Sequence, residues 1–79
     1  ITFSLPSAVG RQRSAVSLSV YDVRGSLVRT LVDGENESGF HTVLWDGRDS
    51  SDREVGNGVY FYRLKTDEFE SVRKMVVLR

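Results

Sequence analysis

Trp45-Asp46-Gly47-Arg48-Asp49 and, about a dozen residues on, Gly58-Val59-Tyr60-Phe61-Tyr62-Arg63-Leu64 are the stretches that decide the fold. The first is the end of a strand running into an Asp/Gly-rich loop. The second is an aromatic strand, in which Tyr60, Tyr62 and Leu64 share one face. Strand, polar loop, aromatic strand is a pattern of β-sandwiches, and no residue set around it has the make-up of an active site.

Working outward, period-2 segments recur at even spacing. Residues 1–5 alternate apolar and polar, and Pro6 ends that run or marks an edge strand. Val16, Leu18 and Val20 alternate with Ser17, Ser19 and Tyr21, a half-buried strand. Asp22-Val23-Arg24-Gly25 fits a type I turn with a glycine bulge. Residues 27–32 are rich in β-branched side chains and predict a third strand. Residues 33–39 are polar and predict a loop. Residues 40–46 predict a fourth strand with His41, Val43 and Trp45 on one face, and residues 47–57 a longer loop. Residues 59–65 and 69–78 predict the last two strands, joined by a short turn at Asp67-Glu68. Leu27, Val28, Leu31 and Val32 mimic one helical turn, but Gly25 and Gly34 leave too few residues between them for a stable helix. The expectation is an all-β fold: one small antiparallel sandwich of about six to seven strands over residues 1–79. Its predicted core is Val16, Leu18, Val20, Val43, Trp45, Tyr60, Tyr62 and Leu64. The last two strands carry apolar residues on both parities. Either both of their faces are covered within the domain, or the outer one meets a neighbour.

Composition narrows the function. A chain of 79 residues is one small domain and buries only about 60% of its unfolded surface. It has no cysteine, hence no disulfide and no Cys/His zinc cluster. Eleven basic residues offset eleven acidic ones, so no net field draws it to nucleic acid or to an anionic membrane. No apolar run approaches the roughly 20 residues of a membrane-crossing helix, and no membrane insertion is expected. The chain opens inside a strand pattern, which suggests a module of a larger protein.

Four features compete for a functional role. Asp46, Asp49 and Asp52 are spaced so that they can ligate calcium. They lack the alternating ligands and closing Glu of an EF-hand, and Asx-turn chemistry explains them more simply. His41 has no nucleophile or carboxylate fixed beside it by sequence and reads as a packing residue. Tyr21, Trp45, Tyr60, Phe61 and Tyr62 can form a sugar-stacking platform, though aromatics at this spacing are commonly cross-strand core pairs. Arg11 and Arg13 beside Gly10 make a small basic tip, too few charges for a nucleic-acid footprint. Lys74, set among apolar neighbours, reads as an edge guard, a snorkelling side chain or part of a recognition signal. No catalytic residue, metal ligand or cofactor site is predicted.

The order of these motifs resembles the Ig-like C-terminal modules of bacterial secreted proteins. These are similar to the Ig-like domain of the flagellar hook-capping protein and to the C-terminal sorting domains of the type IX secretion system. The stretches that carry the resemblance are residues 1–6, 16–22 with Gly25, 28–32, 39–49, 58–64 and 73–78. Gly58 and Tyr60 fit its Gly-x-Tyr element, and Lys74 its lysine near the chain end. Asp52, Gly56-Asn57 and a longer residue 10–14 hairpin depart from it. The resemblance implies an Ig-like or fibronectin III-like sandwich with no reaction to catalyse. It implies a C-terminal sorting, anchoring or structural module of a secreted or cell-surface protein, with recognition by Lys74, Met75, Val76, Val77 and Leu78. The alternative is an accessory binding module for carbohydrate or a neighbouring domain. The partners implied are an upstream domain of the parent chain, and secretion machinery or another subunit met through a strand edge.

Overall fold

The computed structural model describes the backbone of residues 2–5 and 13–14 and all atoms of residues 15–37, 39–67 and 69–78. Pro6, the tip at Gly10 and Arg11, and Glu68 of the expected final turn lie outside the described residues. The order is β1 (Thr2–Leu5), β2 (Arg13–Tyr21), β3 (Leu27–Glu37), β4 (Gly39–Thr42), β5 (Gly58–Thr66) and β6 (Glu70–Val77). No helix occurs among the described residues. β1 and β4 form an antiparallel ribbon, and the other four form an antiparallel sheet in the order β3-β2-β5-β6.

Register explains which side of the sheet is apolar. Leu18 stands opposite Leu64 on β5 and Val32 on β3, and Val20 opposite Tyr62. Directly opposed residues share a face, so Val16, Leu18, Val20, Tyr62 and Leu64 line one side. Val16, Leu18, Val20 and Leu64 are buried, and Leu18 and Val20 have no exposed surface at all. Leu31, Val32, Val43, Tyr62 and Phe69 pack against Val16, Leu18 and Leu64 while keeping some contact with water. Val43 reaches this cluster from the segment just after β4. Ser17, Ser19, Tyr21, Phe61, Arg63, Val72, Lys74 and Val76 take the other side of the sheet.

Two segments differ from the sequence reading. The polar residues 33–37, expected as a loop, continue β3, pairing with Arg13 to Ser17 of β2. Backbone pairing requires no apolar side chain, and β3 lies at a sheet edge, where charged residues are tolerated. β4 ends at Thr42 instead of Asp46; among the described residues it pairs with β1, from Gly39↔Leu5 to Thr42↔Thr2. Beyond Thr42 the chain leaves the ribbon.

The β2–β3 turn is held by Asp22. One oxygen, Oδ1, accepts from the Arg24 and Ser26 backbone N–H groups at 2.9 and 3.0 Å. Gly25 N–H donates to the Asp22 carbonyl at 3.0 Å with φ 83, a left-handed geometry that glycine adopts at little cost. The register slips at Leu18/Ser19 and Val20/Tyr21 each leave one extra residue on β3, Leu31 and Val28, as the pair approaches this turn.

Candidate functional site

Residues 46–57 are built from Asx turns. Asp46 Oδ1 accepts from Arg48 N–H at 3.0 Å. Asp49 Oδ1 accepts from Ser51 and Arg53 N–H at 2.9 and 3.0 Å. The Asp49 and Val55 N–H groups donate to the Arg53 and Gly47 carbonyls, closing the loop on itself. Arg29 ties the loop to β3: its Nη1 donates to the Asp49 carbonyl at 3.2 Å and lies 3.9 Å from the Asp46 carboxylate. The Arg53 N–H hydrogen bond, ahead of burial acting in the opposite sense, holds the Asp49 carboxyl below the usual aspartate range. Asp52 takes part through its backbone, donating N–H to the Asp49 carbonyl and accepting from Arg48 Nη1, both at 3.0 Å. Among the described residues, no group of three or more His, Asp or Glu side chains converges as a metal site would require.

The aromatic residues do not lie in one plane. Trp45 and Tyr60 meet edge to face, with centroids 5.6 Å apart and planes at 66°. Trp45 Nε1 donates to the Arg48 carbonyl at 2.9 Å, and the Tyr60 hydroxyl to the Gly56 carbonyl at 2.8 Å. The pair therefore clamps the loop at both ends. Tyr21 and Phe61 lie across the sheet from Tyr60 and Tyr62, on its other side. Gly58 opens β5 opposite Val77 with φ 151, a conformation that side-chain-bearing residues rarely adopt. His41 Nε2 sits 2.6 Å from the Glu37 carbonyl oxygen, within hydrogen-bonding distance.

β6 is the edge strand of the sheet opposite β3 and pairs with β5 from Glu70↔Lys65 to Val77↔Gly58. Met75 and Val77 are half-buried on the core side. Val72 and Val76, each 57% exposed, flank Lys74 on the outer side, and Leu78 beyond the strand is 81% exposed. Arg63 Nη2 donates to Glu70 Oε2 at 2.8 Å across the β5–β6 pair. That hydrogen bond lowers the Glu70 carboxyl and raises the Arg63 guanidinium from their ordinary values. A hollow of about 300 Å³ beside Val72 is lined by Tyr21, Val23, Phe61 and Arg63. A second apolar area lies on the ribbon side, where Phe40 and Leu44 are almost fully exposed. Sequence alone could not find these areas, because exposure of an apolar residue depends on which strands end up as neighbours.

The sequence model of the FlgD Ig-like domain matches residues 2–68. The chain belongs to the FlgD Ig-like domain family. The basal-body rod modification protein FlgD of Salmonella typhimurium is 39% identical over 62 residues, which cover 76% of this chain and 27% of that protein. FlgD of Salmonella typhi matches to the same extent. The chain thus spans about a quarter of the length of the curated relatives it matches. No solved structure matches it. The family match stops short of β6.

The kinship corrects the functional expectation. The flagellar half of the resemblance is the half that the family and its relatives carry. The reading as a sorting or anchoring module of a secreted or cell-surface protein is overturned, together with the location inferred from it. Homology leads instead to a protein named for modification of the basal-body rod.

Proposed function

We infer that residues 1–79 form one Ig-like sandwich module of a FlgD-type flagellar assembly protein, and that the module is a non-catalytic contact element between protein subunits. The packing of Val43 against Val16, Leu18 and Leu64 supports the sandwich, with the β1–β4 ribbon as the second layer. The observation that carries the contact role is the outer strand β6, which combines an open edge with exposed Val72 and Val76. Exposed apolar side chains beside unpaired strand edges are features of protein–protein docking by strand addition. Lys74 to Leu78 are the contact residues of this reading, and Gly58 and Tyr60 hold the start of β5 beneath them. The partners are another subunit and the adjoining part of the parent chain.

The test is deletion of residues 1–79 from the protein that carries them, in its own bacterium. Loss or shortening of flagella by electron microscopy, with loss of swimming, is the expected result. Flagella of normal number and length would overturn the proposal.

A further inference from the structure

The open edge of β6 is cationic. Among the described residues β6 is hydrogen-bonded to β5 alone. Its centre carries Arg73 on the core side and Lys74 on the outer side, both exposed. Neither has an ion-pair partner among the described residues. The acid of the strand, Glu70, is already engaged by Arg63 at 2.8 Å.

Lysine on an edge strand is a common guard against unwanted pairing. A guard needs charge, but it gains nothing from exposed valines. Here Val72 and Val76 flank Lys74 on its own face, and Val72 borders the hollow lined by Tyr21, Val23 and Phe61. Apolar side chains around a lone cation make a surface that is completed by an apolar partner bearing a negative charge.

Resting on the contact reading above, we propose that the β6 edge takes an extended strand of a partner subunit carrying two adjacent carboxylates between β-branched residues. Consecutive residues of a strand point to opposite faces. In antiparallel addition one carboxylate therefore meets Lys74 and the next meets Arg73. The residues two positions either side of the Lys74 partner then fall opposite Val72 and Val76, as directly opposed side chains do. Backbone hydrogen bonds supply affinity, and the charges select the partner and fix its register.

The chain is titrated with the synthetic peptide Thr-Val-Thr-Glu-Glu-Val-Thr and with its counterpart Thr-Val-Thr-Lys-Lys-Val-Thr, each followed by amide NMR at low and at high salt. The acidic peptide is expected to bind at least about tenfold tighter, since like charges placed face to face cost several kcal/mol. The shifts should be confined to β6 and the outer side of β5, and the preference should shrink with added salt. The Arg73→Glu/Lys74→Glu variant, its fold checked by the same spectrum, should reverse the preference. Arg73→Ala/Lys74→Ala should abolish it. Equal binding of the two peptides, binding of neither, or shifts elsewhere would overturn the proposal. Should that happen while deletion of the module still abolishes flagella, the contact reading stands without the carboxylate rule.

Discussion

At the scale of single residues, Asp49 shows how one oxygen of a carboxylate suspected of metal binding is engaged by the backbone. Its Oδ1 already accepts two N–H groups. Because these bonds favour the ionised form, its folded pKa lies below its unfolded one. The stabilisation is therefore present above the ordinary aspartate range and is lost as pH falls through the folded pKa. Acidifying from neutrality to about pH 3, beneath the ordinary aspartate value of about 3.9, should lower the thermal midpoint of the wild type. Asp49→Asn should start lower and respond less to acid, and an unchanged acid response would show that Asp49 does not hold the loop. Trp45 is only half-buried, so its role divides between ring contact and hydrogen bond. Trp45→Phe keeps most of the ring packing and should cost about 1 kcal/mol, the net value of the lost bond to the Arg48 carbonyl. Leu18→Ala, at a fully buried position, should cost about 2–5 kcal/mol. Urea titrations of the two variants measure this difference.

At the scale of elements, what was legible is what periodicity controls. The Val16-Leu18-Val20 alternation marks β2, and its three apolar residues are buried. β5 and β6 were readable almost in full from β-branched and aromatic content. The second half of β3 was not, because Asp33 to Glu37 have no apolar face and pair through their backbones at an edge. The early end of β4 was also hidden, since the alternation of residues 40–46 continues past the last residue paired with β1. Of the candidate site, the composition of β6 was visible but its place at an edge of the sheet among the described residues was not. Apolar residues on both parities fit a doubly covered strand as well as an exposed one. The 46–57 loop was readable as turn chemistry, yet its one strained residue was not. Asp52 has φ 65, a left-handed conformation that costs L-residues roughly 1–2 kcal/mol, and aspartate less than most. Asp52→Val should therefore destabilise by about 1–2 kcal/mol while Asp52→Gly stays near neutral. Equal chemical-denaturation midpoints for the two variants would contradict a left-handed residue 52.

At the scale of the whole molecule, the question is whether β6 belongs to the fold or is carried by it. The family match ends at residue 68, before β6 begins, which invites the view of an appendage. The packing argues otherwise. β6 pairs with β5 over eight consecutive residues, and Phe69, which leads into it, packs against the Val16, Leu18 and Leu64 cluster. Without residues 69–79, β5 becomes an edge, and Tyr62 and Leu64 lose the neighbour that shields their open side. A domain of this size has a margin of about 5–15 kcal/mol at best. Losing one strand of four together with a core aromatic removes a large part of it. A chain truncated after Glu68 should therefore show collapsed amide dispersion and no cooperative thermal transition. Lys74→Glu, which alters the same strand at an exposed position, should keep the wild-type midpoint within about 0.5 kcal/mol of stability. This contrast separates the two roles of β6. Its core-facing side and backbone stabilise the sheet, while its outer side and the edge left unpaired among the described residues are those that the proposed contact would use. A truncated chain that melts cooperatively at the wild-type temperature would make β6 a docking appendage alone.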